Sequence, residues 1–162
     1  MHVKRLLLIR HAKSSWDFPS VSDHDRPLNK RGKRDAPLMA QSLVAKGESL
    51  DVLFSSTATR AFDLAKPIAE TLNIPLVTTR ELYTFSDSTL MVFIHALTEN
   101  YKRVGLVSHN PAITELANFL GAKTANVPTS GIIAFDVDVD QWRKLGPSYC
   151  RMDYFDCPKN HR

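Results

Sequence analysis

Four basic side chains of this sequence come shortly after short apolar segments that have the composition of buried β-strands. They are Arg10, His11, Arg60 and His109. The segments are residues 6–9, 52–54 and 104–107, and each is short and apolar throughout. Because successive parallel strands end at the same edge of a sheet, three separate strand ends bring two arginines and two histidines to one place. Each residue alone fits an ordinary surface or capping position, so it is their joint placement that indicates a site.

This combination of side chains is suited to a phosphoryl group. The phosphoryl oxygens carry negative charge, and the planar guanidinium of arginine matches their geometry. A neutral imidazole can attack phosphorus and form a phosphohistidine intermediate, and nearby guanidinium groups disfavour a second positive charge on that imidazole. Asn110 as a helix cap, with Pro111 at the first helical position, would add the free N–H groups of a helix N-terminus. The sequence therefore predicts an anion site with a histidine nucleophile.

Strands and helices alternate along most of the chain, which predicts a largely parallel sheet. We expect an α/β three-layer sandwich, with helices on both faces of the sheet and an antiparallel strand at its edge. The predicted helices are residues 30–46 with Asn29 as the cap, 58–72, 88–97 with Ser86 as the cap, and 111–120. A short third strand at 76–78, an edge strand at 132–139 and a last strand at 142–149 complete the prediction. Residues 12–28 form a long polar loop, and a loop of this length in a compact domain is often functional.

Length and composition are those of an ordinary globular protein, with 162 residues, 43% hydrophobic residues and a net charge of +4. The length predicts a single domain over residues 1–162. The densest basic run, Lys30–Arg34, has no interleaved aromatics and fits a solvated helix start, so no nucleic-acid partner is expected. Cys150 and Cys157 fit no metal pattern and are predicted to be free thiols in a reducing compartment. Because the sequence has neither a signal peptide nor an apolar stretch of about 20 residues, we predict a cytoplasmic protein with no membrane partner.

Five segments, taken in order, resemble the histidine phosphatase (phosphoglycerate-mutase-like) superfamily, and within it the small SixA-type phosphohistidine phosphatases. They are LLLIRHAKSS at 6–15, DRPLNKRG at 25–32, SSTATRA at 55–61, ELYTFS at 81–86 and LVSHNP at 106–111. The resemblance extends over nearly the whole chain and is specific as a set. The superfamily's Arg-His-Gly hallmark is Arg10-His11-Ala12 in this chain, a departure that alters the loop slightly and removes no chemistry.

The resemblance implies a role for each of the four residues at the strand ends. His11 would be the phosphorylated nucleophile, and Arg10 and Arg60 would clamp the phosphoryl oxygens. His109 would donate a hydrogen bond to the oxyanion in the transition state. The resemblance also implies that the protein needs neither a metal nor an organic cofactor.

Further candidates come from the loops. Arg26 resembles the additional phosphate-side arginine of the small branch, or else it forms an ion pair with Asp25 that orders the loop. The other candidates for phosphate binding are Ser14 and Asn110. Glu81 occupies roughly the region where larger members supply a general acid, or else it simply pairs with Arg80.

Three functions remain open at this point. The resemblance favours a phosphatase of protein phosphohistidine, because imidazole leaves without the positioned acid that an alkoxide needs. A phosphatase or mutase of a small phosphorylated metabolite is the alternative on the same fold, although mutases usually carry longer insertions, and the segments 12–28 and 79–89 leave room for a protein surface. A phosphate- or phosphoprotein-binding module without turnover is the third, although binding alone needs no nucleophile. In each case three converging arginines would repel one another, so we expect a phosphate or sulfate anion at the site.

Overall fold

The computed structural model describes residues 4–162 and contains a six-stranded mixed sheet. The strands are β1 (Lys4–Arg10), β2 (Val52–Ser56), β3 (Leu76–Thr79), β4 (Arg103–Ser108), β5 (Ile132–Val137) and β6 (Cys150–Asp156). Their order across the sheet is β3-β2-β4-β1-β5-β6. The first four strands pair in parallel, whereas β5 runs antiparallel to β1 and β6 antiparallel to β5. The predicted mostly parallel sheet with an antiparallel edge is therefore confirmed.

Helices cover both faces of this sheet. They are α1 (Lys30–Ala45), α2 (Thr59–Leu72), α3 (Asp87–His95) and α4 (Ala112–Phe119). Leu6 and Leu8 of β1 face the apolar cluster that contains the buried residues of α3 and α4, whereas Leu7 and Ile9 face the cluster with α1 and α2. All four leucine and isoleucine side chains are fully buried, as expected for a strand that is covered on both faces. The three-layer arrangement predicted from the sequence is confirmed.

The long first helix begins where its capping residue predicts. The side chain of Asn29 accepts a hydrogen bond from the amide of Gly32 at 2.8 Å, which satisfies one of the free N–H groups of the first turn. Gly47 follows the helix with a φ of +68°, a conformation that glycine adopts without a steric penalty. The run Lys30–Arg34 forms the first turn of α1 with its four basic side chains exposed, which agrees with a solvated helix start.

The two C-terminal strands differ from the prediction. β5 is not an edge strand, because it lies between β1 and β6. The predicted last strand at 142–149 is wrong, since two 3₁₀ turns occupy Trp142–Lys144 and Pro147–Tyr149. The ring of Trp142 is fully buried and its indole N–H donates to the Tyr101 carbonyl at 2.7 Å. This segment therefore contributes Trp142 to the apolar core without forming a strand. The edge strand is β6, which begins one residue later.

Three helix starts differ by one residue from the prediction, and the second helix begins at Thr59 instead of Ala58. The third helix begins at Asp87, and the Ser86 hydroxyl bonds to the Ser88 hydroxyl at 2.8 Å instead of capping it. The fourth begins at Ala112, one residue after Pro111. No helix within residues 4–162 is long and apolar enough to cross a membrane.

Candidate active site

The end of β1 holds His11 in one orientation and one tautomer. Its backbone N–H donates to the carbonyl of Ser108 at 3.0 Å, which fastens the residue to the neighbouring strand. Its ring Nδ1 lies 2.7 Å from the Ala12 carbonyl, and a carbonyl only accepts, so Nδ1 carries the proton. The lone pair is therefore on Nε2, which is the arrangement that a nitrogen nucleophile needs.

The charge state of His11 follows from its surroundings. Burial lowers the pKa of the His11 imidazole to about 3, and the guanidinium groups of Arg60, Arg10 and Arg26 add to that effect, against the Ala12 hydrogen bond that raises it. Both burial and neighbouring positive charge disfavour a protonated ring. At neutral pH His11 is an uncharged imidazole with a free lone pair.

His109 directly follows β4 and lies beside His11. The two ring centroids are 5.1 Å apart, and the His109 Nε2 lies 2.8 Å from the Ser56 hydroxyl at the end of β2. Burial, followed by His11 and Arg60, lowers the pKa of His109 to about 3. The rings of Tyr83 and Phe85 pack on it at centroid distances of 5.3 and 5.5 Å, so His109 is a neutral group enclosed by aromatic side chains.

Three arginines from three different segments face the two histidines. Arg10 donates from Nη1 to the Val127 carbonyl at 3.0 Å; its pKa is lowered by burial and by the charge of Arg60. Arg60, in the first turn of α2, is 3% exposed. Arg26, from the long loop, stacks on the Trp16 ring with its guanidinium carbon 3.6 Å from the ring centroid. All three guanidinium groups lower the pKa of His11, so their charges converge on the nucleophile, where they can act on one anion together.

His11 and the three arginines line an open cavity of about 290 Å³, and His109 lies buried behind His11. Its lining consists of Arg10, His11, Lys13, Ser14, Trp16, Asp23, Arg26, Arg60, Phe85, Asn110 and Thr129. Arginine, lysine and small polar groups make up most of this wall, and the aromatic rings stand at its rim. The cavity suits a small tetrahedral anion whose remaining part projects into solvent.

Asp23 is a site residue that the sequence reasoning did not identify. Its Oδ1 accepts from Arg26 Nε at 3.2 Å, and its Oδ2 accepts from Arg60 Nη2 at 3.0 Å and from the Tyr83 hydroxyl at 2.7 Å. These hydrogen bonds outweigh the effect of burial and lower the pKa of Asp23 to about 2. The carboxylate is ionised at neutral pH and holds two of the arginines in place.

The ion pair proposed for Arg26 therefore forms with Asp23 and not with Asp25. Asp25 instead bonds to His24 Nδ1 at 2.8 Å. The Arg26 guanidinium also donates to the Ser14 hydroxyl at 2.5 Å, so Ser14 lies in the cavity wall as a partner of the arginine. A spacing of three residues between an aspartate and an arginine was the only available signal for this pairing, and it is common in loops.

Asn110 lines the cavity beside the arginines, whereas Glu81 lies outside it. The Asn110 side chain donates to Asn126 Oδ1 at 3.0 Å and to the Val127 carbonyl at 3.2 Å, and accepts from the Thr114 amide at 3.1 Å. These hydrogen bonds connect the first turn of α4 to the loop that contains Asn126 and Val127. Glu81 is exposed on a 3₁₀ turn and is absent from the cavity lining, and the Arg80 guanidinium lies over the Tyr83 ring at 5.7 Å.

Residues 4–162 contain no cluster of three or more histidine, cysteine, aspartate or glutamate side chains that could hold a metal ion. The positive charge of the cavity comes from its arginines and Lys13.

A mostly parallel α/β sheet, at whose edge two neutral histidines and three arginines from a strand, a helix and a loop come together, is typical of proteins that handle phosphoryl groups through a histidine. The model of the histidine phosphatase superfamily (branch 1) matches residues 6–86. The chain therefore belongs to the histidine phosphatase superfamily, whose fold is that of phosphatases and mutases.

One relative and one solved structure are similar over nearly the whole chain. An uncharacterized protein of Mycobacterium tuberculosis is 30% identical over 163 residues, which cover 93% of this chain and 100% of that protein. The crystal structure of a candidate phosphohistidine phosphatase SixA from Agrobacterium tumefaciens is 29% identical, with a TM-score of 0.82 over 96% of this chain and 99% of that chain.

Similarity to longer relatives is confined to part of their length. An uncharacterized chloroplastic protein of Arabidopsis thaliana is 49% identical over 63 residues, which are 39% of this chain and 29% of that protein. Phosphoserine phosphatase 1 of Hydrogenobacter thermophilus is 39% identical over 77 residues, which are 45% of this chain and 35% of that protein.

Proposed function

We propose that the protein is a phosphatase that removes the phosphoryl group from phosphohistidine in a protein substrate, through a covalent phosphohistidine on His11. The observation that carries this proposal is the state of His11, which is neutral, has its Nε2 lone pair free and faces three guanidinium groups. A binding module would need the guanidinium groups but not the free lone pair.

In the first step Nε2 of His11 attacks phosphorus in line, and the bond from phosphorus to the leaving nitrogen breaks. Arg10, Arg26 and Arg60 stabilise the charge on the equatorial oxygens, where electrostatic stabilisation provides most of the catalysis. The leaving imidazole nitrogen takes a proton from water. In the second step water attacks the phosphorus on His11, inorganic phosphate leaves, and the neutral histidine is restored.

A nitrogen-bound phosphoryl group is favoured because the carboxyl group in the cavity lining is ionised and cannot donate a proton. Asp23 is the carboxyl group in the lining, and its pKa of about 2 keeps it ionised. An ionised carboxylate has no proton to give to an alkoxide, whereas a histidine side chain leaves readily without a positioned acid. A site of this composition favours phosphohistidine over an alkyl phosphate.

The choice of a protein substrate rests on the rim of the cavity. Trp16 and Phe85 line the cavity and are 74% and 49% exposed. Large exposed aromatic side chains next to a functional cavity are typical of a protein-contacting surface. The solved structure from Agrobacterium tumefaciens bears the name of a candidate phosphohistidine phosphatase, and this proposal extends that activity to the present chain.

A second candidate is hydrolysis of a small phosphorylated metabolite. It is favoured by the similarity to phosphoserine phosphatase 1 of Hydrogenobacter thermophilus, which is 39% identical over 77 residues. Here the phosphoryl group would leave with a hydroxyl group, so the reaction would depend more strongly on a proton donor.

A substrate panel separates the two candidates. Purified protein is incubated with a phosphohistidine-containing protein labelled with ³²P, with phosphoserine and with a simple alkyl phosphate. We expect the fastest turnover on phosphohistidine, and label on His11 after rapid acid-free quenching. Faster hydrolysis of phosphoserine or of the alkyl phosphate would favour the metabolite reaction. His11→Ala is the matched control, and turnover that survives in it would overturn the mechanism.

A further inference from the structure

Ser56 lies where it can decide which nitrogen of His109 carries the proton. It is the last residue of β2, its side chain is fully buried, and its Oγ is 2.8 Å from the His109 Nε2. The same oxygen accepts a hydrogen bond from the backbone amide of Ala58 at 3.1 Å. That amide is a donor only, so it fixes the position of the oxygen without accepting the hydroxyl proton.

The hydroxyl proton of Ser56 therefore has the Nε2 of His109 as its acceptor. If instead Nε2 carried a proton and donated to Ser56, the buried hydroxyl would receive two hydrogen bonds and have no acceptor for its own proton. Buried polar groups without partners are disfavoured. With Nε2 unprotonated, the Nδ1 proton is the one group of this pair that lacks a partner, whereas the opposite tautomer leaves both the hydroxyl proton and the Nδ1 lone pair without one. The pair therefore favours the tautomer with the ring proton on Nδ1.

The Nδ1 of His109 is buried and has no hydrogen-bond partner within residues 4–162. Its ring lies 5.1 Å from that of His11, centroid to centroid, and both the Arg60 and Arg10 charges act on it. A buried N–H with no protein acceptor, next to the nucleophile and the arginines, is available to an oxygen of a bound phosphoryl group. With the opposite tautomer, a lone pair would face the phosphoryl oxygens and repel them.

We propose that Ser56 is a positioning residue that fixes His109 in the tautomer with the proton on Nδ1, so that His109 donates to the phosphoryl oxygens during transfer. The proposal rests on the proposed phosphatase function for its catalytic consequence. The tautomer itself is a property of the free protein and is tested without any substrate.

The neighbouring serine provides a matched control. Ser55 is also fully buried on β2, but its hydroxyl donates to the backbone carbonyl of Ser56 at 2.9 Å. Ser55→Ala removes a buried hydroxyl from the same strand without touching His109. Ser56→Ala removes the bond to Nε2, and Ser56→Thr retains a hydroxyl at the same position.

The first measurement is ¹⁵N NMR of the imidazoles in the wild-type protein at neutral pH, with His109 assigned through His109→Gln. We expect Nδ1 of His109 to have the shift of a protonated nitrogen and Nε2 that of an unprotonated one. The reverse pattern in the wild-type protein would overturn the proposal, whatever its activity.

The second measurement compares variants. In Ser56→Ala we expect the Nδ1 and Nε2 shifts of His109 to move toward each other, and kcat on p-nitrophenyl phosphate to fall about tenfold with a smaller change in KM. Ser56→Thr should restore both quantities in part, and Ser55→Ala should leave the His109 shifts unchanged. A fall in kcat with unchanged His109 shifts would mean that Ser56 is merely structural. If His109 has its proton on Nδ1 but the protein hydrolyses no phosphate compound, the tautomer assignment stands and the proposed function is refuted.

Discussion

Asp23 binds Arg60 through both its backbone and its side chain. The Asp23 carbonyl accepts from Arg60 Nη1 at 2.7 Å, and its carboxylate accepts from Arg60 Nη2 at 3.0 Å. One residue of the long loop thus engages both terminal nitrogens of an arginine that comes from α2. The same carboxylate also bonds to Arg26 and Tyr83, so it fixes the arginines while reducing the positive charge that a substrate meets.

Removal of this carboxylate should tighten anion binding. In Asp23→Asn we expect the affinity for inorganic phosphate, measured by calorimetry, to rise by roughly five- to tenfold, because a negative charge next to the anion is lost. Without phosphate, the variant should melt at a lower temperature than the wild-type protein, since its arginines lose a compensating charge. Asp25→Asn is the control, because Asp25 bonds to His24, and it should leave phosphate affinity unchanged. Weaker phosphate binding in Asp23→Asn would show that the carboxylate acts mainly by positioning the arginines.

Arg60 should not be replaceable by lysine. The guanidinium bonds to Asp23 at two points and still has N–H groups for a phosphoryl oxygen, whereas an ammonium group cannot do both in one plane. We expect Arg60→Lys to lower kcat about 100-fold or more, with little change in melting temperature. The readout is steady-state hydrolysis of p-nitrophenyl phosphate. Arg151→Lys, at an exposed position of β6 that pairs with Asp136, should retain full activity. An Arg60→Lys enzyme within a few-fold of wild type would contradict the two-point role.

The common location of Arg10, His11, Arg60 and His109 was predictable, because it follows from the way parallel strands and helices alternate along the chain. A short apolar run gives the strand, parallel strands end at one edge, and the polar residue that follows must lie there. Arg10 and His109 needed no further information. The alternation of strands and helices likewise predicts layers on both faces, which the burial of β1 confirms.

The role of Asp23 was not predictable, because residues 12–28 have no periodicity from which a loop path could be derived. Its position depends on a 3₁₀ turn at Asp23–Asp25 that closes against α2 and Tyr83. The role of Ser56 was not predictable either, because it depends on a contact with His109, which follows a different strand and lies 53 positions away in sequence. The edge strand β6 escaped detection because it carries charged residues such as Arg151 and Asp153, which weaken the usual strand signal.

Stability should fall as the pH falls from neutral, because two buried histidines resist protonation. The pKa values of His11 and His109 are lowered to about 3 in the folded protein, against about 6.5 in an unfolded chain. Between these values the unfolded chain binds protons that the folded chain does not, so the free energy of unfolding falls with falling pH. From pH 7 to pH 5 we expect a loss of about 2 kcal/mol for each histidine.

Urea unfolding at pH 7, 6 and 5 measures this loss, and His109→Gln should lose less stability over the same range than the wild-type protein. The lowered pKa of Asp23 gives a loss of the same sign, but only below about pH 4, where that carboxylate begins to be protonated. A free energy of unfolding that is constant from pH 7 to pH 5 would show that the two imidazoles are protonated as readily in the folded protein as in the unfolded chain.

Inorganic phosphate should raise the melting temperature of the protein. Arg10, Arg26 and Arg60 face one cavity and repel one another, and a bound anion relieves that repulsion in the folded state only. At a phosphate concentration about tenfold above its dissociation constant, mass action adds about 1.4 kcal/mol, or roughly 2–5 °C. Sodium chloride at matched ionic strength is the control and should give a smaller shift. Arg26→Ala should bind phosphate more weakly and need a higher concentration for the same shift. A melting temperature that millimolar phosphate leaves unchanged would argue against a cavity in which three arginines share one anion.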